Sequence, residues 1–222
     1  VQSLLNTEIG IRLSNDMALG ETDFELMGMS GNNVKILLDG IPLIDRGATK
    51  QSLSQLDVNS IERVEIVEGP MSVVYGTDAL AGVINIITKK GDGYSEENTW
   101  RVGARVQEES MGKEYDFFKD KGLHNESIDL GFNHKSGLFV NGGYTRNNHG
   151  GWQGDLTGRE KRWHPKDQAL MNGMFGFQNR NMNVWYRLDF LDEKIFGPNN
   201  GSELQPEKVS DKDFLTKRYT HQ

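Results

Sequence analysis

Residues 61–90 read IERVEIVEGPMSVVYGTDALAGVINIITKK, and this stretch decides the fold of the first part of the chain. At its start, Val64 and Ile66 alternate with Glu65, which is the period-two pattern of a β-strand. Near its end, residues 83–87 (VINII) carry apolar side chains on both faces. This run predicts a second strand, buried on both sides.

The segment between these two strands predicts a very short helix. Pro70, after Gly69, stands where the helix would begin, and Gly76 follows its last residue. Proline at the start and glycine just past the end are typical of helix termini. We therefore expect a helix over residues 71–75.

The neighbouring segments indicate a compact domain of short elements. Residues 34–38 (VKILL) form a brief apolar run that ends at the turn signal Asp39-Gly40. Residues 89–93 (KKGDG) have the composition of a linker.

From Thr99 onward the pattern changes to long segments in which apolar and polar residues alternate. Each segment is about ten residues long, which suits a tilted strand that crosses a membrane. The side chains on the apolar side include Trp100, Val102, Ala104, Val106, Ile128, Leu130, Phe132, Leu138, Val140, Tyr144, Met171, Phe175, Phe177, Val184, Tyr186, Leu188 and Phe190.

The connections between these segments alternate in length. We expect a tight two-residue turn at 136–137 and a short one at 179–181, against long connections near 108–123, 148–167 and 194–214. Short turns on one side and long loops on the other are typical of an outer-membrane barrel. A soluble antiparallel sheet also alternates apolar and polar residues, and it stays open as the alternative.

The composition excludes several classes of protein. The 222 residues are 36% hydrophobic, with no run of about 18 apolar residues, so a helical membrane protein is excluded. A net charge of -7 disfavours nucleic-acid binding, and the absence of cysteine removes thiol chemistry. The sequence holds none of the HExxH, Walker or GxSxG motifs, so we expect no enzyme activity.

Three segments in order resemble the plug domain of TonB-dependent outer-membrane receptors. Residues 35–43 (KILLDGIPL), 61–70 (IERVEIVEGP) and 72–90 (SVVYGTDALAGVINIITKK) are similar to the "LIDG-P", "IERIEVLRGP" and "SALYG-xAxGGVINIITK" segments of that family. The resemblance implies a mostly β chain: a small α+β plug with a mixed sheet and short helices, then antiparallel strands of an incomplete transmembrane barrel.

The resemblance also implies a domain organisation and a function. Residues 1–92 would be an N-terminally truncated plug, and residues 93–222 the first five or six barrel strands. Such receptors lie in the outer membrane of Gram-negative bacteria and take up scarce nutrients. Haem or a ferric siderophore is expected here, with cobalamin or a glycan less favoured. The TonB–ExbB–ExbD complex would be the energising partner, with outer-membrane lipid around the barrel and no intrinsic cofactor or metal.

The family signature is expected to be structural, and Asn85 should need a hydrogen-bond partner because its strand is otherwise apolar. Tyr75 is expected to fill apolar space. The signature residues are Asp39, Gly40, Glu62, Arg63, Glu65, Gly69, Pro70, Tyr75, Gly76, Gly82 and Asn85. The sequence departs from the family at Met27 and Glu68, where arginines that hold the plug in the barrel often stand.

Ligand contacts in this family come from plug apices, expected here near residues 15–22 and 45–50, and from the long loops. Aromatic and histidine side chains in those loops could suit haem, whose iron histidine or tyrosine binds. The binding candidates are Tyr115, His124, His149, Trp152, Trp163 and His164, with Phe117 and Phe196 in the same loops. A soluble β-rich ligand-binding module is the alternative function.

Overall fold

The computed structural model describes seven stretches of the chain. They are residues 11–16, 21–30, 33–43, 55–76, 79–90, 97–198 and 211–222. Three predicted features lie wholly or partly outside these stretches: the plug apex at residues 45–50, the tip of the apex near 15–22, and most of the linker at 89–93. The chain divides into two units, Val1–Lys89 and Lys90–Gln222.

The described residues of the first unit form two small sheets, a short α-helix and a 3₁₀ turn, Val58–Ser60. An antiparallel sheet has the order β1-β2-β3, and a mixed sheet has the order β5-β4-β7-β6, with β4 and β7 parallel and its other pairs antiparallel. The elements are β1 Ile11–Asp16, β2 Glu21–Leu26, β3 Met29–Ser30, β4 Val34–Leu38, β5 Ile41–Pro42, β6 Ile61–Glu68, α1 Ser72–Tyr75 and β7 Gly82–Thr88. The predicted short helix and both predicted strands are confirmed.

Strand β7 lies between β4 and β6 and forms the centre of the first unit. Ile84 and Ile86 on one face are completely buried, and Val83 on the other face packs with Leu37. The two core clusters explain why the sequence of β7 is apolar on both sides. The prediction of a strand buried on both faces is therefore confirmed.

Gly82, the first residue of β7, permits a close approach of two strands. Its φ is +149°, and a Cβ at this position would lie 2.3 Å from the Val67 carbonyl oxygen and 2.9 Å from Leu26 Cδ2. No side chain fits there without moving the backbone of β6.

The second unit is one six-stranded antiparallel sheet in which every strand pairs with its sequence neighbours. This topology confirms the predicted antiparallel strands. The elements are β8 Thr99–Glu109, β9 Leu123–Asn133, β10 Leu138–His149, β11 Lys166–Gln178, β12 Asn183–Gly197 and β13 Lys212–His221. The part of the chain that the structure describes contains no helix with the length and hydrophobicity of a membrane span.

The connections of this sheet correct two details of the prediction. The turn predicted at 136–137 has three residues instead of two. The His134 N–H donates to the Leu138 carbonyl at 2.8 Å, and three residues lie between them. Gly137, with φ +97°, takes the left-handed position that such a three-residue turn requires. The long connections, 110–122, 150–165 and 198–211, are shorter than expected because backbone pairing continues beyond the apolar part of the strands.

The pairing register gives the sheet two different faces. One face, which we call the apolar face, carries the even-numbered side chains of β8, β9, β10 and β12 and the odd-numbered ones of β11 and β13. Many of its side chains are exposed, such as Trp100 at 76% and Tyr219 at 77%. The opposite, polar face is largely buried, and its Gln168 is 1% exposed.

The apolar residues of the apolar face form a band with charged rows at one end. Its four rows run from the row of Leu138 to the row of Tyr144, about 20 Å along the strands at roughly 3.4 Å per residue. That height approaches the apolar band of roughly 25 Å on the outside of membrane barrels. Beyond it, towards the long connections, ion pairs such as Arg146–Asp167 and Lys194–Asp213 replace the apolar side chains.

Candidate functional site

Five of the plug signature residues form one hydrogen-bonded chain across the mixed sheet. The Gly40 N–H donates to Asn85 Oδ1 at 2.9 Å, and Asn85 Nδ2 donates to Glu65 Oε2 at 3.2 Å. Arg63 then bridges Glu65 at 2.9 Å and Glu62 at 2.8 Å. The hydrogen bond to Glu65 is the main cause of the raised pKa of Arg63, so this guanidinium stays charged. The predicted need of Asn85 for a partner is met inside the first unit.

Asp39 and Gly40 form the turn between β4 and β5 and also fix the end of β7. Both have positive φ, 52° and 86°, as a tight two-residue hairpin turn requires. The Asp39 carboxylate accepts hydrogen bonds from the Thr88 N–H at 3.0 Å and the Thr88 hydroxyl at 2.6 Å. The signature "DG" therefore ties the β4–β5 hairpin to β7, the last strand of the unit.

The remaining signature residues shape the connection from β6 to β7. The Gly69 N–H donates to the Ala81 carbonyl at 2.9 Å, and Pro70 precedes the short helix that Gly76 ends. Tyr75, expected to fill apolar space, is instead exposed to 38% in this chain because it lies at the end of that helix. Met27, at the position of one family arginine, lies in the turn between β2 and β3 and is exposed.

The six predicted ligand-binding residues lie at one end of the six-stranded sheet but fall into two separate groups. The first group is on the side of the polar face. His149, at the end of β10, stacks on Trp163 with a ring separation of 4.0 Å, and its Nδ1 lies 3.4 Å from the His164 carbonyl. The backbones of Trp152 and Trp163 exchange two hydrogen bonds, which closes the 150–165 loop into a small hairpin.

The second group lies on the side of the apolar face. His124 Nδ1 is 2.6 Å from Glu108 Oε2, and the Tyr115 hydroxyl donates to the same oxygen at 3.2 Å. Burial, followed by this hydrogen bond, raises the pKa of Tyr115. Glu108 and His124 face each other across β8 and β9. Both have the strand parity of the exposed Trp100 and Ile128, so His124 and His149 belong to opposite faces of the sheet. The 110–122 loop nevertheless reaches the first group, because a Cβ at Gly112 would lie 3.7 Å from Trp152 Nε1.

Sequence reasoning missed the acidic and basic residues that hold these loops in place. Glu108 anchors the 110–122 loop, and the Arg162–Asp155 and Arg159–Asp211 pairs, at 2.5 Å and 2.8 Å, brace the 150–165 loop. Counting strand parity from Trp100 would have placed Glu108 on the apolar face. The two arginine pairs have no comparable signal, because Asp211 is 52 residues from its partner.

A buried polar chain crosses the polar face one row below the His149–Trp163 pair. Asn147 Nδ2 donates to Gln168 Oε1 at 2.8 Å, and Gln168 Nε2 donates to Glu193 Oε2 at 2.7 Å. Lys166 Nζ also lies 2.9 Å from Glu193 Oε2. Since every member bonds to the next strand, this chain gives the first group a rigid base.

The described residues contain no group of three histidine, cysteine, aspartate or glutamate side chains that could hold a metal ion. His124 is engaged by Glu108, and His149 is buried against Trp163. The arrangement can therefore offer aromatic surface and hydrogen bonds to a ligand, rather than a ready metal site.

Comparisons with known proteins identify the family of the first part of the chain. Residues 1–83 match the model of the TonB-dependent receptor plug domain. The ferrienterobactin receptor of Escherichia coli K12 is 33% identical over 107 residues, which cover 42% of this chain and 14% of that receptor. The iron-regulated outer membrane virulence protein of Vibrio cholerae serotype O1 strain O395 is 40% identical over 80 residues, or 31% of this chain and 12% of that protein. The chain thus spans only a small part of these relatives.

Solved structures show the same fold over most of the chain. The copper transporter OprC superposes with a TM-score of 0.69 at 14% identity, covering 98% of this chain and 32% of that one. A mutant of the ferric enterobactin receptor PfeA of Pseudomonas aeruginosa, in complex with enterobactin, gives a TM-score of 0.55 at 19% identity, over 87% and 30% of the two chains. The family match thus identifies residues 1–83 as a TonB-dependent receptor plug domain, and the solved structures show that most of the chain has the fold of OprC and PfeA.

Proposed function

We propose that the protein is a TonB-dependent receptor that takes up a ferric siderophore across the outer membrane. The observation that carries the proposal is the plug domain, whose relatives by sequence are named for ferrienterobactin and for iron regulation. We also propose that the plug extends to residue 92 and that residues 93–222 supply the first strands of the barrel.

The two faces of the second unit support a protein in a membrane over the soluble alternative. A soluble β-rich module would cover the side of its sheet that carries Trp100, Val102 and Tyr219, all of which are exposed to 70% or more. Exposed aromatic and aliphatic residues that alternate with polar ones are typical of a lipid-facing barrel surface.

A siderophore fits the loop residues better than haem does. Haem needs a histidine or tyrosine that is free to bind iron. Here Glu108 accepts the Tyr115 hydroxyl, and Nε2 of both His124 and His149 is buried, so none of the three is open to a haem iron. The half-buried rings of Trp152 and Trp163 could instead bind the flat rings of an aromatic iron chelator by stacking.

The proposed mechanism involves no covalent chemistry by this chain. The ligand binds at the loop end, and the TonB–ExbB–ExbD complex then supplies the energy that moves the plug. The hydrogen-bonded chain from Gly40 to Glu62 makes the plug sheet a unit that can move as one piece. The protein brings no cofactor of its own, and iron is its cargo.

Uptake by the complete receptor tests the proposal. The receptor is expressed in a Gram-negative strain that lacks its own siderophore and haem receptors, and the cells receive ⁵⁵Fe bound to catecholate or hydroxamate chelators, or haemin. We expect saturable uptake of one ferric siderophore, which is lost in an isogenic strain without TonB. Uptake of haemin alone, or siderophore uptake that does not need TonB, would contradict the proposal.

A further inference from the structure

The first long loop of the sheet, residues 110–122, makes its side-chain contacts with the apolar face. Tyr115 and Phe118 contact Glu108, and Tyr115 lies near His124, and these are the last side chains of β8 and β9 on that face. The loop also meets the start of the next loop, where the Gly150 N–H donates to the Gly122 carbonyl at 3.1 Å and a Cβ at Gly112 would lie 3.7 Å from Trp152 Nε1. Gly122 lies on the same side, since a Cβ there would be 3.1 Å from the Tyr115 ring and 3.7 Å from the His124 ring. From this geometry we propose that the loop is a membrane anchor, which lies in the headgroup layer of the lipid outside the barrel.

Glu108 holds the loop in this position. One of its oxygens receives the Tyr115 hydroxyl at 3.2 Å and the Phe118 N–H at 3.5 Å, and lies 2.6 Å from His124 Nδ1. Phe118 has φ +54°, a conformation that a bulky side chain rarely adopts. The contacts with Glu108 offset that strain and fix the direction in which the loop leaves the strand.

The fixed loop presents two aromatic rings to its surroundings. Phe117 and Phe118 are 67% and 48% exposed, and their rings meet edge to face at 4.4 Å. Along β8, the apolar surface runs from Trp100 to Val106. Glu108 is the next side chain on the same face, and it accepts the hydrogen bond from the Tyr115 hydroxyl. The loop thus extends the apolar surface past the end of the lipid-facing band.

The chemistry of the loop matches the boundary between acyl chains and headgroups. Aromatic side chains concentrate at this boundary, where their rings meet both lipid and polar groups. In the sequence, Lys119 and Lys121 follow the two phenylalanines, and the carboxylates of Asp116 and Asp120 balance their positive charge. Long lysine side chains at such a level extend towards the headgroups. The occupant of this surface is therefore lipid, not the transported ligand.

Spin labels at single cysteines test the placement without any ligand. Phe117→Cys and, as a control, Thr157→Cys at the exposed tip of the 150–165 loop are introduced into the complete receptor, from which other cysteines have been removed. Each labelled protein is reconstituted into lipid bilayers, and its collision rates with oxygen and a water-soluble nickel chelate are compared. We expect at least a threefold higher oxygen-to-nickel ratio at position 117 than at position 157. Equal ratios would overturn the proposal.

Two further variants separate the anchor from a structural role and from ligand binding. Glu108→Ala should release the loop, so that the label at position 117 becomes as accessible to nickel as the control, and an unchanged ratio would contradict the role of Glu108.

The double variant Phe117→Ser, Phe118→Ser should leave the ferric siderophore Kd within about twofold. A large loss of affinity would show that the loop binds ligand. The depth measurement does not depend on the proposed transport function, so the two can fail separately.

Discussion

The two units of this chain distribute the same kinds of residue in opposite ways. In the first unit, apolar side chains such as Ile84 and Ile86 are completely buried, and the charged Arg63 and Glu65 lie outside. In the second unit, Trp100 and Tyr219 are exposed, whereas Gln168, Arg187 and Glu193 are buried. We infer from this difference that one chain is built for two solvents: the first unit excludes water from its core, and the proposed barrel strands of the second present their apolar side chains to lipid.

The largest expected effect is in the core of the first unit. Replacing Ile84 by Ala removes a completely buried side chain between β4 and β6, and such deletions cost about 2–5 kcal/mol. Hydrogen exchange of the plug amides in the complete, detergent-solubilised receptor measures this loss. Val73→Ala is the matched control, because Val73 is 98% exposed and its truncation should cost less than about 0.5 kcal/mol. Equal effects of the two substitutions would mean that β7 is not a core strand.

A charge in the apolar band should be nearly as costly, for the opposite reason. Leu130→Arg places a cation in the middle of the lipid-facing rows, which costs about 2–4 kcal/mol in membrane barrels. Asn148→Arg, on the same face but in the charged row near the loops, should cost about 0–1 kcal/mol. Urea titrations of folding into bilayers compare the two variants. If both are tolerated equally, this face does not lie in lipid.

A smaller effect is expected from the signature network of the plug. Asn85→Ala removes one accepted and one donated hydrogen bond, and at about 0.5–1.5 kcal/mol each the loss is about 1–3 kcal/mol. Asn85→Asp keeps the acceptor for Gly40 but places a second carboxylate beside Glu65. We therefore expect it to destabilise the plug as well, and more at neutral than at acidic pH. An aspartate variant as stable as the natural protein at pH 7 would exclude a role for the Asn85–Glu65 bond.

The smallest effect concerns the 150–165 loop and depends on pH. The hydrogen bond from Arg162 lowers the pKa of Asp155, so this pair stabilises the loop above the ordinary aspartate pKa. The contribution is lost as the pH falls through the lowered pKa of the folded state. Protease cleavage within the loop should therefore rise modestly at the acidic end, measured with an acid-stable protease. An Arg162→Gln variant should be cleaved at every pH at the rate that the natural protein reaches only at acidic pH. If the cleavage rate of this variant still changes with pH, the Arg162–Asp155 pair is not the cause of the pH response.

The sequence predicted the parts of the fold that follow from periodicity. Alternation placed the strands of the second unit and separated their faces, and the apolar run at 83–87 identified the central strand of the first. The predicted length of the turn after Asn133 was wrong. The dipeptide Ser136-Gly137 indicates a turn but does not specify that His134 and Leu138 form the backbone hydrogen bond that closes it.

The candidate site was less predictable because its residues are brought together by register. Residue types alone grouped His124 with His149, although the pairing of β8, β9 and β10 places their side chains on opposite faces of the sheet. Contacts such as Arg159–Asp211 depend on loop conformations that no local pattern encodes.

A cysteine scan along β12 tests the central claim, that the six-stranded sheet lies between lipid and a polar interior. Each of residues 185–190 is replaced in turn by a spin-labelled cysteine in the complete receptor, reconstituted in bilayers. We expect high oxygen collision rates for labels at Tyr186, Leu188 and Phe190, and low oxygen collision rates for labels at Trp185, Arg187 and Asp189 on the largely buried polar face. A profile without this period of two, or with the opposite phase, would contradict it.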